Sequence, residues 1–174
     1  MDPAIVLRTA VLMLIAYLSG SIPVGVLVAR YAGGTDPRTI GSGRTGGTNA
    51  LRALGPKWAV VVVTGDLLKG ALPVVLARFV TGDPLVEVLC GACAVAGAIW
   101  SVFAGFRSGR GVGTGVGTML VIQPVAVLLA TPVFLWETHK TVANLLEWNE
   151  VSSAKYLQPG QRLVMFVNVL EQSG

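Results

Sequence analysis

The chain has 174 residues, 53% of them hydrophobic and 13% charged, with a mean hydropathy of +0.69. That balance argues against a soluble globular domain, and several apolar runs approach the ~20 residues that span a bilayer. The formal net charge of +4 sits in loops beside those runs, a pattern of membrane topology rather than of nucleic-acid binding.

The first predicted span runs from about Ile5 to Arg30, with Gly20, Pro23 and Gly25 in its second half. Such residues kink a membrane helix or let a neighbour approach closely. Its uncharged run, Thr9 to Ala29, is too long for the apolar core of a cleavable leader. Tyr31 to Lys57 is a loop with Arg38, Arg44, Arg52 and Lys57 against Asp36 alone. The second span, Trp58 to about Phe79, carries Asp66 and Lys69 in an otherwise Val/Leu-rich helix. The loop after it, Thr81 to Glu87, has Asp83 and Glu87 but no Lys or Arg. The third span, Val88 to Phe106, is uncharged and holds both cysteines, Cys90 and Cys93. These read as small packing residues, not as a metal or redox pair. A second basic loop follows with Arg107 and Arg110, and the fourth span is about Val112 to Trp136.

With four spans both basic loops fall on one side, which the positive-inside tendency makes cytoplasmic, with both termini outside. The expected fold is an all-α integral membrane helix bundle of about four transmembrane helices over 1–136. A small α+β tail is expected over 137–174.

The stretch GSGRTGGTN, Gly41 to Asn49, concentrates the chemistry. Glycines such as Gly41 and Gly43 let backbone approach a ligand, successive N–H groups form an anion nest, and Arg44 adds a forked charge suited to phosphate. A plain flexible loop is the competing reading. The downstream cluster Arg107 to Gly117 tilts the balance toward one shared phosphate site at one membrane face. Gly41, Gly43 and Gly46 match a dinucleotide-binding glycine pattern, but no strand precedes them. A P-loop fails because Gly47 stands where its lysine belongs.

Asp66 and Lys69, three residues apart, share a helix face. An ionisable group at mid-span costs roughly 2.5–3.5 kcal/mol, so it faces protein or a wet cavity. The pair is therefore either a structural ion pair or part of the polar cavity fed by the glycine loops. Gly109, Gly113 and Gly117 likewise read either as a helix-packing stripe or, around Arg110, as a backbone cradle for an anion.

From about Leu14 to Pro124 the chain resembles the bacterial membrane acyl-phosphate:glycerol-3-phosphate acyltransferases. The resemblance is carried by SGSIPVGVLVAR (19–30), DPRTIGSGRTGGTNALRALG (36–55), DLLKGALPV (66–74) and FRSGRGVGTGVG (106–117). It implies transfer of a fatty acyl group from acyl phosphate to the 1-hydroxyl of glycerol 3-phosphate, forming lysophosphatidic acid in the bacterial plasma membrane. It also implies no metal, no cofactor and no acyl-enzyme intermediate. By motif, Ser42 and Arg52 would hold the glycerol 3-phosphate phosphate, with Arg110 in place of a lysine. Thr48 and Asn49 would support the loop and the substrate hydroxyls. Gly109 and Gly111 flank Arg110, and no catalytic residue is assigned.

The chain departs from the family pattern at several places. Arg44 stands for Asn, Ser108-Gly109-Arg110-Gly111 for GGKG, Gly97-Ala98 for Gly-His, and Ser101 for Pro. The family's later spans and a C-terminal His/Asn motif are not matched, which implies impaired turnover. Thr141 to Val167 instead resembles part of a LysM module, with Trp148-Asn149 and a PGQ turn. Trp148-Asn149 reads as ordinary packing of a small helix–strand segment in preference to a glycan contact, which would make peptidoglycan a partner of the tail beside the lipid bilayer. A catalytically inactive membrane anchor is the alternative function. His139 is assigned no chemistry.

Overall fold

The computed structural model describes residues 2–133 and residue 136. The tail from 137 onward, with the LysM-like segment and His139, lies outside the described residues. Residues 1–127 form one compact unit and 128–174 a second. Helices α1 (Pro3–Gly20), α2 (Val24–Ala32), α3 (Gly47–Leu54), α4 (Pro56–Thr81), α5 (Pro84–Ile99) and α6 (Val112–Ile122) build the first unit. A further apolar helix, α7, spans Pro124–Val133. No strand occurs among the described residues.

Proline and the acidic caps set most of the boundaries. Asp2 accepts a hydrogen bond from the Ala4 N–H at 2.9 Å and Asp83 from Leu85 at 2.8 Å, each just ahead of a proline in the first helical turn. Pro56 opens α4 in the same way. The expected first span, Ile5 to Arg30, is in fact two helices, because Pro23 has no N–H to continue α1 and its ring excludes the helical path. The expected fourth span is likewise interrupted at Gln123, one residue before Pro124. Among the described residues three helices are long and apolar enough to cross a membrane: Pro3–Gly20, Pro56–Thr81 and Pro84–Ala104, the last including a 3₁₀ turn at Val102–Ala104. The first loop is also more ordered than expected, since Thr48, Asn49 and Arg52 lie on α3.

Helix α4 is central, packing on α1, α5 and α6, while α1 and α5 pack on each other. The buried core is made of small side chains, including Ala16, Ala77, Cys90 and Ala94. Large apolar residues such as Leu7, Leu72 and Leu85 face outward. Membrane helices associate in this way, through small residues that allow close backbone approach. Gly70 lies against the Thr114 carbonyl and Gly117 against the Leu67 carbonyl, so a Cβ at either position would collide with the other helix's backbone. The glycine stripe is therefore a packing device at Gly117, and the α4–α6 seam it closes forms one wall of the site.

Helix α4 contains Pro73, which lacks the N–H that would bond the Lys69 carbonyl. The Ser19 hydroxyl of α1 donates to that carbonyl instead, at 3.0 Å. Glu87, expected in a loop, lies buried in the first turn of α5. There it accepts a forked pair of bonds from Arg78, at 3.0 and 2.6 Å. Arg78 also donates to the Val121 carbonyl at 2.9 Å, tying together the ends of three helices away from the glycine loops.

Candidate functional site

Asn49 organises the first glycine loop. It is buried, and its amide nitrogen lies 2.9 to 3.3 Å from four oxygens: the carbonyls of Pro37, Ile40 and Arg44, and Ser42 Oγ. Two N–H groups shared among four acceptors also settle which way the amide points. Its carbonyl oxygen faces Arg52 Nη1 at 3.4 Å, one turn along α3. Gly41 and Gly43 adopt left-handed backbone, with φ of +55° and +68°. A Cβ at Gly41 would press on Asn49 Oδ1 and Arg52 Nη1, at 2.7 and 2.8 Å. Those two glycines shape the turn and do not line the cavity.

Asp36 anchors the start of this segment. Its carboxylate caps a 3₁₀ turn at Pro37–Thr39 and takes a forked pair of bonds from Arg38, the shortest 2.7 Å. The Arg38 guanidinium holds the Asp36 carboxyl below the usual carboxylate range, chiefly through those hydrogen bonds.

A cavity of about 510 Å³ opens between the two glycine loops, α4 and the first turns of α3 and α6. Of the residues expected at a site, Ser42, Thr48, Asn49, Arg52, Asp66, Lys69, Gly109, Arg110 and Gly111 all line it. Two basic loops far apart in sequence thus meet at one place. Arg44, Thr45, Val63, Ala98 and Thr114 line it too, without having been among the expected site residues. The first glycine loop itself signalled Arg44 and the family resemblance singled out Ala98, whereas nothing local in the sequence marks Val63.

The floor is the ion pair of α4. Lys69 Nζ lies 2.8 Å from Asp66 Oδ1, and the side chains are 7% and 16% exposed. Lys69 also donates to the Ile22 carbonyl at 3.2 Å, in the segment where α1 breaks before Pro23. Two of the three ammonium donors are thereby used. The pair is structural and lines the cavity at once, so the two sequence readings are not exclusive.

The electrostatics of this cavity favour an anion. Four cationic side chains line it, Arg44, Arg52, Lys69 and Arg110, against the single carboxylate of Asp66. The first turns of α3 and α6 also line it, through Gly47, Thr48, Val112 and Gly113. The leading N–H groups of a helix have no partner within it and carry its positive dipole end, so both helices offer donors to a negative group. Arg44, Arg52 and Arg110 are exposed, whereas Lys69 is buried. The arrangement suits phosphate groups whose guanidinium contacts form at the mouth and whose deepest charge meets the Asp66–Lys69 floor.

Residues 10–146 match the family model described as "Glycerol-3-phosphate acyltransferase". The chain is 47% identical over 128 residues to the glycerol-3-phosphate acyltransferase of Myxococcus xanthus (strain DK1622), covering 73% of this chain and 67% of that one. It is 37% identical over 164 residues to the corresponding enzyme of Geotalea daltonii, covering 94% and 80%. Among solved structures it resembles PlsY (YgiH), an integral membrane glycerol 3-phosphate acyltransferase. The glycerol 3-phosphate form has a TM-score of 0.68 at 38% identity, and the lysophosphatidic acid form 0.67 at 37%, each covering 74% of this chain and 66% of that one. The chain spans 60% to 67% of the length of the first relatives it matches.

Proposed function

This chain belongs to the glycerol-3-phosphate acyltransferase family, and on that premise we propose that its cavity transfers a fatty acyl group from acyl phosphate to glycerol 3-phosphate. Its described residues form an all-α membrane helix bundle, so a lipidic donor and a water-soluble acceptor can meet where bilayer meets water. The observation that carries the proposal is the convergence of four cations and two helix N-termini on one cavity. Two phosphorylated substrates need that much positive potential in one place, and a neutral hydrophobic cavity would not supply it.

In the proposed reaction the 1-hydroxyl oxygen of glycerol 3-phosphate bonds to the acyl carbonyl carbon. The bond from that carbon to the bridging phosphate oxygen breaks, and the hydroxyl proton ends on the departing phosphate. The products are lysophosphatidic acid and inorganic phosphate. Ser42, Arg52 and Arg110 hold the phosphate of glycerol 3-phosphate, and the α6 N-terminus meets the phosphate of the donor. Asn49 fixes the loop that carries Ser42, and Lys69 adds a buried positive charge beneath both. Catalysis on this reading is positioning plus charge stabilisation by groups held in advance. The site loops face the cytoplasm of a bacterial plasma membrane, as the distribution of Lys and Arg supports.

The test uses purified protein in lipid nanodiscs, supplied with palmitoyl phosphate and labelled glycerol 3-phosphate. Labelled lysophosphatidic acid, abolished by Arg52→Ala, is the expected result. No product together with no binding of glycerol 3-phosphate would overturn the assignment.

A further inference from the structure

We propose that Arg44 and Ser108 form a two-point clip that holds the two glycine loops together, and that the intact clip sets the affinity of the site for glycerol 3-phosphate. The second half of this proposal deepens the acyl-transfer reading and rests on it, while the first half does not.

The Arg44 guanidinium donates to the Gly109 carbonyl at 3.1 Å. Next to it in the chain, Thr45 Oγ1 lies 3.1 Å from Ser108 Oγ, hydroxyl to hydroxyl. Neighbouring residues of one loop thus bond neighbouring residues of the other. Among the described residues no other hydrogen bond joins 41–49 to 107–111. Thr45 and Ser108 are 4% and 6% exposed, and Ser108 does not line the cavity. Its hydroxyl therefore serves the loop contact and not a ligand.

Each side of the clip leads directly to a cation of the site. On the first loop, Asn49 bonds the Arg44 carbonyl at 2.9 Å and faces Arg52, so the segment is fixed to α3. On the second, the Gly109 N–H donates to the Ala98 carbonyl at 3.1 Å, and the next residue is Arg110. Gly111, at φ +74°, then caps α6. A shift at Ser108–Gly109 is passed to Arg110 and the α6 N-terminus within a few bonds. Ser108 is on this account a positioning residue, and Arg44 adds a positioning part to its place in the cavity lining, since both fix where Arg52 and Arg110 stand relative to one another.

Two tethers in parallel behave differently from two independent contacts. Cutting one leaves the loops joined by the other, so the effects of single substitutions are small and their combination exceeds the product. The measurement is amide hydrogen exchange at Gly109 in nanodiscs without ligand, for the parent, Arg44→Asn, Ser108→Ala and the double variant. Each single change is expected to speed exchange no more than about threefold and the pair more than about thirtyfold. Arg44 itself lines the cavity, so affinity is read on Ser108→Ala, whose hydroxyl does not: glycerol 3-phosphate Kd is expected to rise, with KM rising more than kcat falls. Thr45→Ser keeps the hydroxyl and retains parental exchange, while Thr45→Val with Arg44→Asn reproduces the double variant should that one fail to fold. Exchange effects that simply multiply, or a double variant as protected as the parent, overturn the clip. Coupled exchange with unchanged Kd overturns its role in affinity. Coupled exchange in a parent that binds no glycerol 3-phosphate supports the clip and sinks the acyl-transfer reading instead.

Discussion

The Ser19 hydroxyl of α1 donates to the backbone carbonyl of Lys69, 3.0 Å away on α4. That carbonyl is the one Pro73 leaves without its helical N–H. Lys69 is gripped a second time by the same part of the chain, since its ammonium donates to the Ile22 carbonyl. The end of α1 thus positions the one buried cation of the cavity through both backbone and side chain. Removing the hydroxyl by Ser19→Ala leaves a buried carbonyl unpaired and is expected to cost about 1–3 kcal/mol of stability. Unfolding in detergent, compared with Ser19→Thr, measures it; equal losses for both variants would show that packing and not the hydrogen bond is responsible.

Breaking the Asp66–Lys69 pair from one side strands a charge. Lys69→Met leaves the Asp66 carboxylate with no cation within reach, at an expected cost of about 3 kcal/mol, and Asp66→Asn/Lys69→Met recovers most of it. Turnover is lost in both variants, because the buried positive charge is gone in each. A double variant no more stable than Lys69→Met would show that the ion pair is not the source of the loss.

Arg52→Ala is expected to weaken glycerol 3-phosphate binding roughly 10- to 150-fold, the range for losing a charge-assisted bond worth about 1.5–3 kcal/mol. Isothermal titration in nanodiscs reads it directly. An unchanged Kd would remove Arg52 from the phosphate site.

Gly115 and Gly117 sit two residues apart on α6 and have opposite expected responses to alanine. A Cβ at Gly115 meets only Val95, at an ordinary 3.8 Å, whereas at Gly117 it drives into the Leu67 carbonyl. Gly115→Ala is therefore neutral or stabilising by up to about 1 kcal/mol. Gly117→Ala destabilises by about 1–3 kcal/mol as the α4–α6 seam is forced apart. Similar melting temperatures for the two variants would contradict the packing described here.

Asn49→Asp changes one atom and reverses the loop's chemistry. A carboxylate oxygen replaces the amide nitrogen among four acceptor oxygens, so attraction becomes repulsion and the loop opens. Loss of glycerol 3-phosphate binding with far-ultraviolet circular dichroism unchanged is the expected outcome. Retained affinity would mean that the loop does not depend on this amide.

Acid weakens the first loop through Asp36. Its carboxyl titrates below the ordinary value of about 3.9 because Arg38 bonds its charged form. The contribution to stability is thus fully present above that ordinary value and is lost as pH falls through the lowered one. Asp36→Asn is expected to remove this part of the acid dependence. Identical acid-unfolding profiles for parent and variant would show that the pair contributes nothing.

The membrane class, the central charged helix and the two basic glycine loops follow from the sequence by itself, because each is written in contiguous residues. A run of apolar side chains selects a bilayer whatever its neighbours do, and Asp66 with Lys69 shares a face because a helix turns once in 3.6 residues. Nine of the eleven expected site residues line one cavity. The tertiary structure decided the rest. Pro23 breaks the first span locally, but that the Ile22 carbonyl beside the break accepts from Lys69 of α4 is set only by the fold. Asp83 and Pro84 start α5 and so put Glu87 in its first turn, but the pairing of Glu87 with Arg78 of α4 is likewise decided by the fold. Arg44 and Ser108 look unrelated along the chain, and only folding brings the Arg44–Thr45 segment against Ser108–Gly109. Such pairings depend on distances between segments remote in sequence, and local periodicity holds no information about those distances.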